Sequence, residues 1–212
     1  MVQYFLDGGA FMWPILFLLM FGLGFGFERL YTLFRASVDP RKFMALVQDA
    51  LHSEGFSAAV DVCSNTRGPV AEVFHAGLTR VHRGIEAVEK GIENAGTIEM
   101  AFLEKNMVWL STVVTLAPML GFTGTVAGMI RAFDDIKAAN DISPSVVAGG
   151  ISVALLTTLF GLVVAIIVQT FQNFLISRVD KLIIDMEENS ILLIDELVEM
   201  ELSGELKDAE KK

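Results

Sequence analysis

The sequence is poor in residues that several classes of protein require. Its single cysteine, Cys63, excludes an intrachain disulfide and a cysteine-based metal site. Lys and Arg number 16 against 26 Asp and Glu, a net charge of −10, and no concentrated basic face serves nucleic-acid binding. A phosphate-cradling glycine loop, a nucleophile elbow and a His-Glu-x-x-His pair are also missing. We therefore expect no nucleic-acid partner and no enzyme.

The few candidate metal-binding residues lie in one stretch. His75 and His82 are seven residues apart, near one helical face, with Glu72 and Glu86 close to them. Such residues can bind a metal, but they more often form a solvated face, so we expect no metal site. Cys63 is expected to be a buried small hydrophobic residue rather than a reactive thiol.

Three long runs contain no Asp, Glu, Lys or Arg, in a chain that is 53% hydrophobic. They contain 20, 25 and 36 residues and cover 8–27, 106–130 and 142–177. A helix crosses a bilayer core with about 20 apolar residues, so each run is long enough to span. The third run is too long for one crossing. Its Gln169, Gln172 and Asn173 predict that the helix leaves the membrane near Gln169 and continues into water without a break.

The charges between these runs predict the topology. No Lys or Arg precedes the first run and Asp7 does, which is the opposite of a secretory signal, so we expect a retained helix. Lys and Arg number nine in 28–105, two in 131–141 and five in 178–212. Basic residues stay in the cytoplasm, so the amino end and the short loop are predicted outside, and the central segment and the tail inside.

The central segment has several helix signals. Asp39 is a candidate N-cap, Pro40 follows it in the first turn, and an amphipathic pattern continues to Gly55. Further helices are predicted over 57–63 and, after a breaker cluster at 64–69, up to about Arg83. The helical pattern over 85–105 runs into the second span without a turn signal, so we expect one continuous helix there.

The tail has two apolar stripes at helical spacing. The first is a heptad-like seam of Val179, Ile183, Met186, Ser190, Leu193, Leu197 and Met200. The second consists of Ile184, Ile191, Ile194 and Val198. Two stripes call for neighbours on two sides. A ring of identical helices and packing against the central helices of the same chain both satisfy this pattern.

These observations predict an all-α polytopic membrane protein with three transmembrane helices. The second and third extend into the cytoplasm, and a small helical cytoplasmic domain completes the chain. The predicted segments are a periplasmic amino end with the first span (1–35), a cytoplasmic domain (36–105), the second span (106–130), a short periplasmic loop (131–141), the third span with its extension (142–177) and an amphipathic tail (178–212). The charged end from Gly204 is expected to fray.

Small and hydroxyl residues are concentrated in the second and third spans. Gly121, Gly124 and Gly128 clear one face of the second span for close helix packing. Pro118 removes a backbone hydrogen bond and should kink this helix. The third span is also rich in small and hydroxyl residues, at Gly149-Gly150, Ser152, Ala154, Thr157-Thr158 and Gly161. Its helix is predicted to begin at Ser143-Pro144, with a hydroxyl cap and a first-turn proline.

The residues alone allow two interpretations of the role of Thr125 and Thr158. Membrane threonines commonly hydrogen-bond back to their own helix, which gives these two a purely structural role. Alternatively they line a polar seam inside the protein.

The run 117–129 reads Ala-Pro-Met-Leu-Gly-Phe-Thr-Gly-Thr-Val-Ala-Gly-Met, and 149–166 reads Gly-Gly-Ile-Ser-Val-Ala-Leu-Leu-Thr-Thr-Leu-Phe-Gly-Leu-Val-Val-Ala-Ile. Together they resemble the MotA/TolQ/ExbB proton-channel family. Three spans in this orientation are similar to the ExbB and TolQ branch, whereas the MotA branch has four. In this resemblance Thr125 and Thr158 match pore-facing threonines, and Pro118 matches an intramembrane proline. Thr157 is expected to line the proton path together with the two threonines. Many ExbB proteins have a glutamate where this chain has Val153.

The resemblance implies a homopentameric ring around a dimer of single-span ExbD- or TolR-like subunits in the bacterial inner membrane. Protons would be the coupling ion, with no cofactor, and the work would be done on a TonB- or TolA-like envelope protein. A proton relay normally needs an intramembrane carboxylate, and the three runs have none, so the partner is expected to supply an Asp. The alternatives are a passive scaffold whose small-residue faces, including Ala154 and Gly161, only assemble helices, or a MotA-like stator.

Overall fold

All regular secondary structure in the part of the chain that the structure describes is helical. The computed structural model describes residues 2–36, 39–139 and 144–203. The helices are α1 (Val2–Asp7), α2 (Met12–Ala36), α3 (Pro40–Ser53), α4 (Phe56–Asn65), α5 (Pro69–Leu78), α6 (Ile85–Glu104), α7 (Met107–Ala139) and α8 (Pro144–Ser203), with a 3-10 turn at Val81–Arg83. Three of them, α2, α7 and α8, belong to segments long and apolar enough to cross a membrane. The predicted all-α class with three apolar helices is therefore confirmed.

The described residues form two compact units. The first contains the described residues within 2–29 and 106–175, and the second contains those within 30–105 and 176–203. The long helix α8 is continuous from Pro144 to Ser203 and contributes to both units. Its continuity confirms the prediction that the third apolar helix runs on beyond the apolar run without a break.

In the first unit, α2 packs against both α7 and α8. Gly22 of α2 is the contact point, because a Cβ there would lie 3.2 Å from Val113 and 3.1 Å from Val168. Val113 and Val168 are fully buried, as is Leu110 one turn before Val113. The three apolar helices thus share a buried centre made of small and branched side chains, while each keeps an exposed apolar face.

In the second unit, α3 to α6 form a helical core. The first helix begins as the sequence predicts: Asp39 accepts a hydrogen bond from the backbone of Lys42 at 3.5 Å, and Pro40 occupies the first turn. Gly55 and Gly84 have φ of +89° and +92°, a conformation that favours glycine, and each precedes a helix. The core is formed by Phe43, Val47, Leu51, Phe74, Leu78 and Val88 together with residues from the end of α8.

The first apolar seam of α8 packs within the same chain. Met186, Leu193, Leu197 and Met200 are buried in the core of the second unit. The second stripe differs, since Ile184 and Ile191 are exposed while Ile194 packs against the core only in part. Intramolecular packing therefore accounts for the seam and leaves part of the second stripe uncovered in this chain.

The prediction of one continuous helix from 85 into the second span is wrong at two residues. The first helix, α6, ends at Glu104 and α7 begins at Met107. Between them Lys105 is extended and Asn106 has a φ of +66°, which breaks the helical hydrogen-bonding pattern. Asn is one of the few residues that adopt this left-handed conformation easily, because its short side chain can hydrogen-bond locally. The side-chain amide of Asn106 donates to Glu28 at 3.3 Å.

The helix α7 also extends beyond its predicted end. Residues 131–139, expected to form most of a short loop, are helical as far as Ala139. The charges at Arg131, Asp134 and Lys137 mark where a membrane can end, but they do not stop a helix, and no Gly or Pro intervenes. The end of the predicted loop at 140–141, the Ser143 cap and the predicted fraying from Gly204 lie outside the described residues.

Candidate functional site

The site begins with a face of small residues where α7 and α8 meet. On α7 this face contains Ala117, Gly121, Gly124, Gly128 and Ala132, and on α8 it contains Gly150, Ala154, Thr157 and Gly161. A Cβ on Gly161 would lie 2.6 Å from the carbonyl oxygen of Ala117, and one on Gly121 would lie 2.9 Å from that of Thr157. These neighbours are backbone atoms, so the two helices touch directly, and a side chain there would force them apart.

Two threonine hydroxyls join the helices at this close approach. The hydroxyl of Thr125 on α7 lies 3.1 Å from the carbonyl oxygen of Ala154 on α8, and that of Thr158 lies 3.3 Å from the carbonyl oxygen of Gly121. The two hydroxyls also hydrogen-bond each other. Each reaches the carbonyl one turn back on its own helix as well, at 3.3 Å for Thr125 and 3.4 Å for Thr158. Each threonine therefore bonds back to its own helix, as membrane threonines commonly do, and also bonds across to the neighbouring helix.

This arrangement, which we call the hydroxyl cluster, consists of the hydroxyls of Thr125 and Thr158 and the carbonyl oxygens of Gly121 and Ala154. Each hydroxyl has one proton to donate and can accept a bond in return. The two hydroxyl protons have four acceptor oxygens within reach, namely the two carbonyl oxygens and the two hydroxyl oxygens. Rotation of a hydroxyl can therefore move its donated bond from one acceptor to another. Both threonines are half-buried, so the cluster keeps an accessible side.

Thr157, the third threonine predicted to line a proton path, lies inside the helix contact. It has no exposed surface, and its hydroxyl donates to the carbonyl oxygen of Ala154 at 2.9 Å. It fills the space that Gly124 leaves, since a Cβ on Gly124 would lie 2.6 Å from the Thr157 Cβ. The adjacent residues 157 and 158 thus have different environments in this chain.

Pro118 and Val153 are the two other positions that the sequence singles out. Pro118 lies inside α7, so the carbonyl of Val114 lacks its usual helical donor one turn before the cluster. Val153 lies on α8 beside the turn between α1 and α2, with its Cγ1 3.8 Å from where a Cβ of Gly9 would be. An apolar side chain suits this contact, whereas a carboxylate there would need a polar partner.

A second polar link between α7 and α8 was not predicted. The side-chain amide of Gln172 donates to the hydroxyl of Ser111 at 2.6 Å, and Gln172 is only 7% exposed. From the sequence, Gln172 indicates only that the helix leaves the membrane. Its partner is 61 residues away in sequence, and a pairing at that distance cannot be deduced without the helix register.

The outer faces of the same helices are apolar and exposed. On α7 they include Met119, Phe122, Val126, Ile130 and Phe133, and on α8 Leu155, Leu159, Leu162 and Ile166. Phe122 is 67% exposed and Leu155 is 64% exposed. Such contiguous apolar faces are stable against lipid chains or against other apolar helices, and not against water.

The residues weighed for metal or thiol chemistry are not arranged for either. His75 lies on α5 and His82 in the separate 3-10 turn, so the two do not share one helical face. No cluster of three metal-ligating side chains occurs within the described ranges. Cys63 is buried at 2% exposure, and burial raises the pKa of its thiol to about 12. The expectation of a buried, unreactive cysteine agrees with this environment.

Three long apolar helices, a close contact made of small residues, and a neutral hydroxyl cluster define a polytopic membrane protein built for helix packing around polar groups. Comparison with known sequences gives the particular family. The model of the MotA/TolQ/ExbB proton channel family matches residues 65–188, more than half of the chain, and the protein belongs to that family. It is accordingly a multi-pass membrane protein and not an enzyme.

Individual relatives agree with this family. The chain is 28% identical over 180 residues to a putative biopolymer transport protein ExbB homolog of Methanothermobacter thermautotrophicus, covering 84% of this chain and 64% of the relative. It is 30% identical over 170 residues to a putative ExbB-like protein of Synechocystis, covering 78% and 66%. It is 35% identical over 99 residues to the Tol-Pal system protein TolQ of Haemophilus influenzae, covering 45% and 43%. The chain thus spans just under two thirds of the first two relatives.

Proposed function

We propose that this chain is the ring-forming subunit of a proton-driven motor in the bacterial inner membrane. Its partner is a dimer of single-span ExbD/TolR-type subunits inside a homopentameric ring. The amino end faces the periplasm and the carboxyl end faces the cytoplasm. The complex converts the proton motive force into work on a TonB- or TolA-like envelope protein. Family membership and the similarity to ExbB and TolQ proteins support this proposal.

The hydroxyl cluster is the single observation that carries the proposed mechanism. It is a polar site in a stretch of α7 and α8 that has no ionisable residue. A proton relay in a membrane normally uses an ionisable group. The proposed partner therefore supplies an Asp, and Thr125 and Thr158 offer it hydroxyls whose hydrogen bonds can exchange as the Asp gains and loses its proton.

The energy available per proton sets the scale of each step. One elementary charge that crosses 100 mV delivers about 2.3 kcal/mol. This is comparable to one or two hydrogen bonds to a charged group. A cluster whose bonds rearrange without repacking a helix suits steps of this size. We assign Thr157 to packing within the subunit, because its hydroxyl is enclosed.

Removal of the two hydroxyls tests this proposal. Thr125→Val and Thr158→Val keep the side-chain volume and are expected to lower proton flux at least about tenfold in proteoliposomes that contain the chain with its copurified single-span partner. Thr123→Val is the matched control, because Thr123 is exposed on the same helix and bonds only its own helix, to Met119, at 2.8 Å. Thr125→Ser and Thr158→Ser should restore flux.

A passive membrane scaffold is the second candidate function. It is favoured by the fact that the hydroxyls of Thr125 and Thr158 already find partners within the chain. A scaffold predicts that both Val variants assemble with the partner and keep proton-dependent work. Normal assembly with lost flux supports the motor, and normal assembly with normal flux contradicts it. A MotA-like stator would instead copurify with a motility or secretion apparatus.

A further inference from the structure

The second unit contains a cavity that the proposed motor does not use. It has a volume of about 370 Å³ and lies between the end of α2, the start of α3 and α8. Ligand pockets in proteins are commonly about 300–1,000 Å³, so the volume is sufficient for a small polar group. One wall is apolar and is formed by Leu30, Leu33 and Phe34. We call this space the α2–α8 cavity.

The facing wall carries charges of both signs on one side of α8. Arg178, Lys181, Leu182 and Asp185 line it at spacings of three, four and seven residues. The guanidinium of Arg178 lies 5.8 Å from the centre of the Phe34 ring. Among the described residues, neither Lys181 nor Asp185 forms an ion pair. Asp39 also lines the cavity, but it caps α3 and pairs with Lys42 at 3.5 Å.

The sequence places both walls where apolar helices end. Leu30 to Phe34 follow the first charge-free run after only Glu28 and Arg29, and Arg178 is the first charged residue after the third run. The headgroup layer of a bilayer begins where the hydrocarbon ends, and long cationic side chains reach it readily. Basic pockets beside transmembrane helices commonly bind lipid headgroups.

We propose that the α2–α8 cavity binds the headgroup of a phospholipid that carries both a phosphodiester and a primary amine, as in phosphatidylethanolamine. Lys181, with Arg178 beside it, binds the phosphate, and Asp185 accepts hydrogen bonds from the ammonium group. Leu33 and Phe34 contact the glycerol and the start of the acyl chains, consistent with the 60% exposure of Phe34. The lipid belongs to the leaflet on the side of the central segment 28–105.

The paired charges distinguish this headgroup from other lipids. A purely anionic headgroup would satisfy Lys181 but place no cation near Asp185. A quaternary choline has no N–H to donate to a carboxylate. An ethanolamine headgroup meets both requirements, so the cavity should select it over glycerol and choline headgroups.

Native mass spectrometry of the full-length protein in detergent tests the proposal. The protein is titrated separately with phosphatidylethanolamine, phosphatidylglycerol and phosphatidylcholine. The unsubstituted chain is expected to retain the ethanolamine lipid most tightly. Lys181→Gln should weaken binding of the ethanolamine and glycerol lipids about fivefold, the typical contribution of one cation near a membrane surface. Asp185→Asn should remove the preference for ethanolamine over choline while leaving binding of the glycerol lipid intact.

Two controls match these variants. Lys90→Gln and Glu187→Gln remove exposed charges of the same sign elsewhere in the second unit, and they should leave lipid binding unchanged. Equal weakening by the controls, or a retained ethanolamine preference in Asp185→Asn, contradicts the proposal. So does displacement by free phosphoethanolamine without retention of any phospholipid, which would indicate a soluble ligand. If Lys181→Gln and Asp185→Asn lose oligomers but keep the same amount of lipid per chain, a second copy of the chain occupies the cavity and the proposal is contradicted.

Discussion

The α7–α8 contact is predicted to be intolerant of a single methyl group at Gly161. The Cβ of an alanine there would lie 2.6 Å from the carbonyl oxygen of Ala117 and 3.1 Å from the Cα of Gly121. Both are backbone atoms, so no side chain can rotate away. To reach an ordinary contact of about 3.4 Å, the helices must separate locally by about 0.8 Å.

That separation has two energetic consequences. Overpacking in a close contact costs about 1–3 kcal/mol. Alanine returns about 0.5–1 kcal/mol, since it is a better helix former than glycine. The net destabilisation is then about 1 kcal/mol, the difference between the middles of these two ranges. The bond between the Thr158 hydroxyl and the Gly121 carbonyl, at 3.3 Å, would also lengthen beyond hydrogen-bonding distance.

Gly149→Ala is the matched control on the same helix. A Cβ on Gly149 would meet nothing within 4 Å in the described part of the chain. This variant should therefore be neutral or slightly stabilising. Thermal unfolding of the purified protein can be followed by the fluorescence of Trp13 and Trp109, which both lie in the first unit. Gly161→Ala is expected to lower the Tm by about 2–4 °C. Equal Tm values for the Gly161 and Gly149 variants would refute the close-packing argument.

Three further predictions concern other parts of the molecule. Burial raises the pKa of the Cys63 thiol to about 12, so only about one molecule in ten thousand carries the thiolate at pH 8. Maleimide labelling of Cys63 should therefore be slow in the folded protein and rapid in denaturant. Rapid labelling of the folded protein would contradict the burial. Leu193→Ala should lower the free energy of unfolding by about 2–5 kcal/mol, because Leu193 is fully buried in the second unit. Ile191→Ala, at a 59% exposed site, should change the same free energy by less than about 0.5 kcal/mol when unfolding is followed by circular dichroism. Equal effects of the two variants would refute the assignment of the first stripe to the core. Ser111→Ala removes the hydroxyl that accepts the hydrogen bond from the buried amide of Gln172 and should cost about 1–3 kcal/mol in the same measurement. An unchanged stability would show that the link is not needed.

The elements that the sequence predicts well are those marked by long patterns. The absence of charge over 8–27, 106–130 and 142–177 locates α2, α7 and α8, because an unbroken apolar run of 20 or more residues matches a membrane-spanning helix and exceeds a membrane-spanning strand. The Asp39 cap is a local signal of the same strength. The break at Asn106 is different, since it depends on one residue in a left-handed conformation and no Gly or Pro marks it.

In the candidate site, too, some features follow from a pattern along the sequence and others depend on how two helices pack. Small residues at 121 and 124 indicate a closely packed helix face, but the residues alone leave Thr125 and Thr158 with two possible roles. The family resemblance is what singles out these two threonines as pore-facing. The register between α7 and α8 decides the rest. It encloses Thr157 against Gly124 while leaving Thr158 beside Thr125, and it brings Ser111 to Gln172. A register is a property of two packed surfaces, and one helical pattern does not contain it.

A double-mutant cycle in proton flux tests the central claim most directly. If Thr125 and Thr158 act as one hydroxyl cluster, the variant with both Thr125→Val and Thr158→Val should conduct no less than either single variant, because the first change already disables the shared site. The measurement uses proteoliposomes containing the assembled chain and its single-span partner. Losses that multiply in the double variant, or flux retained in both single variants, would contradict the account.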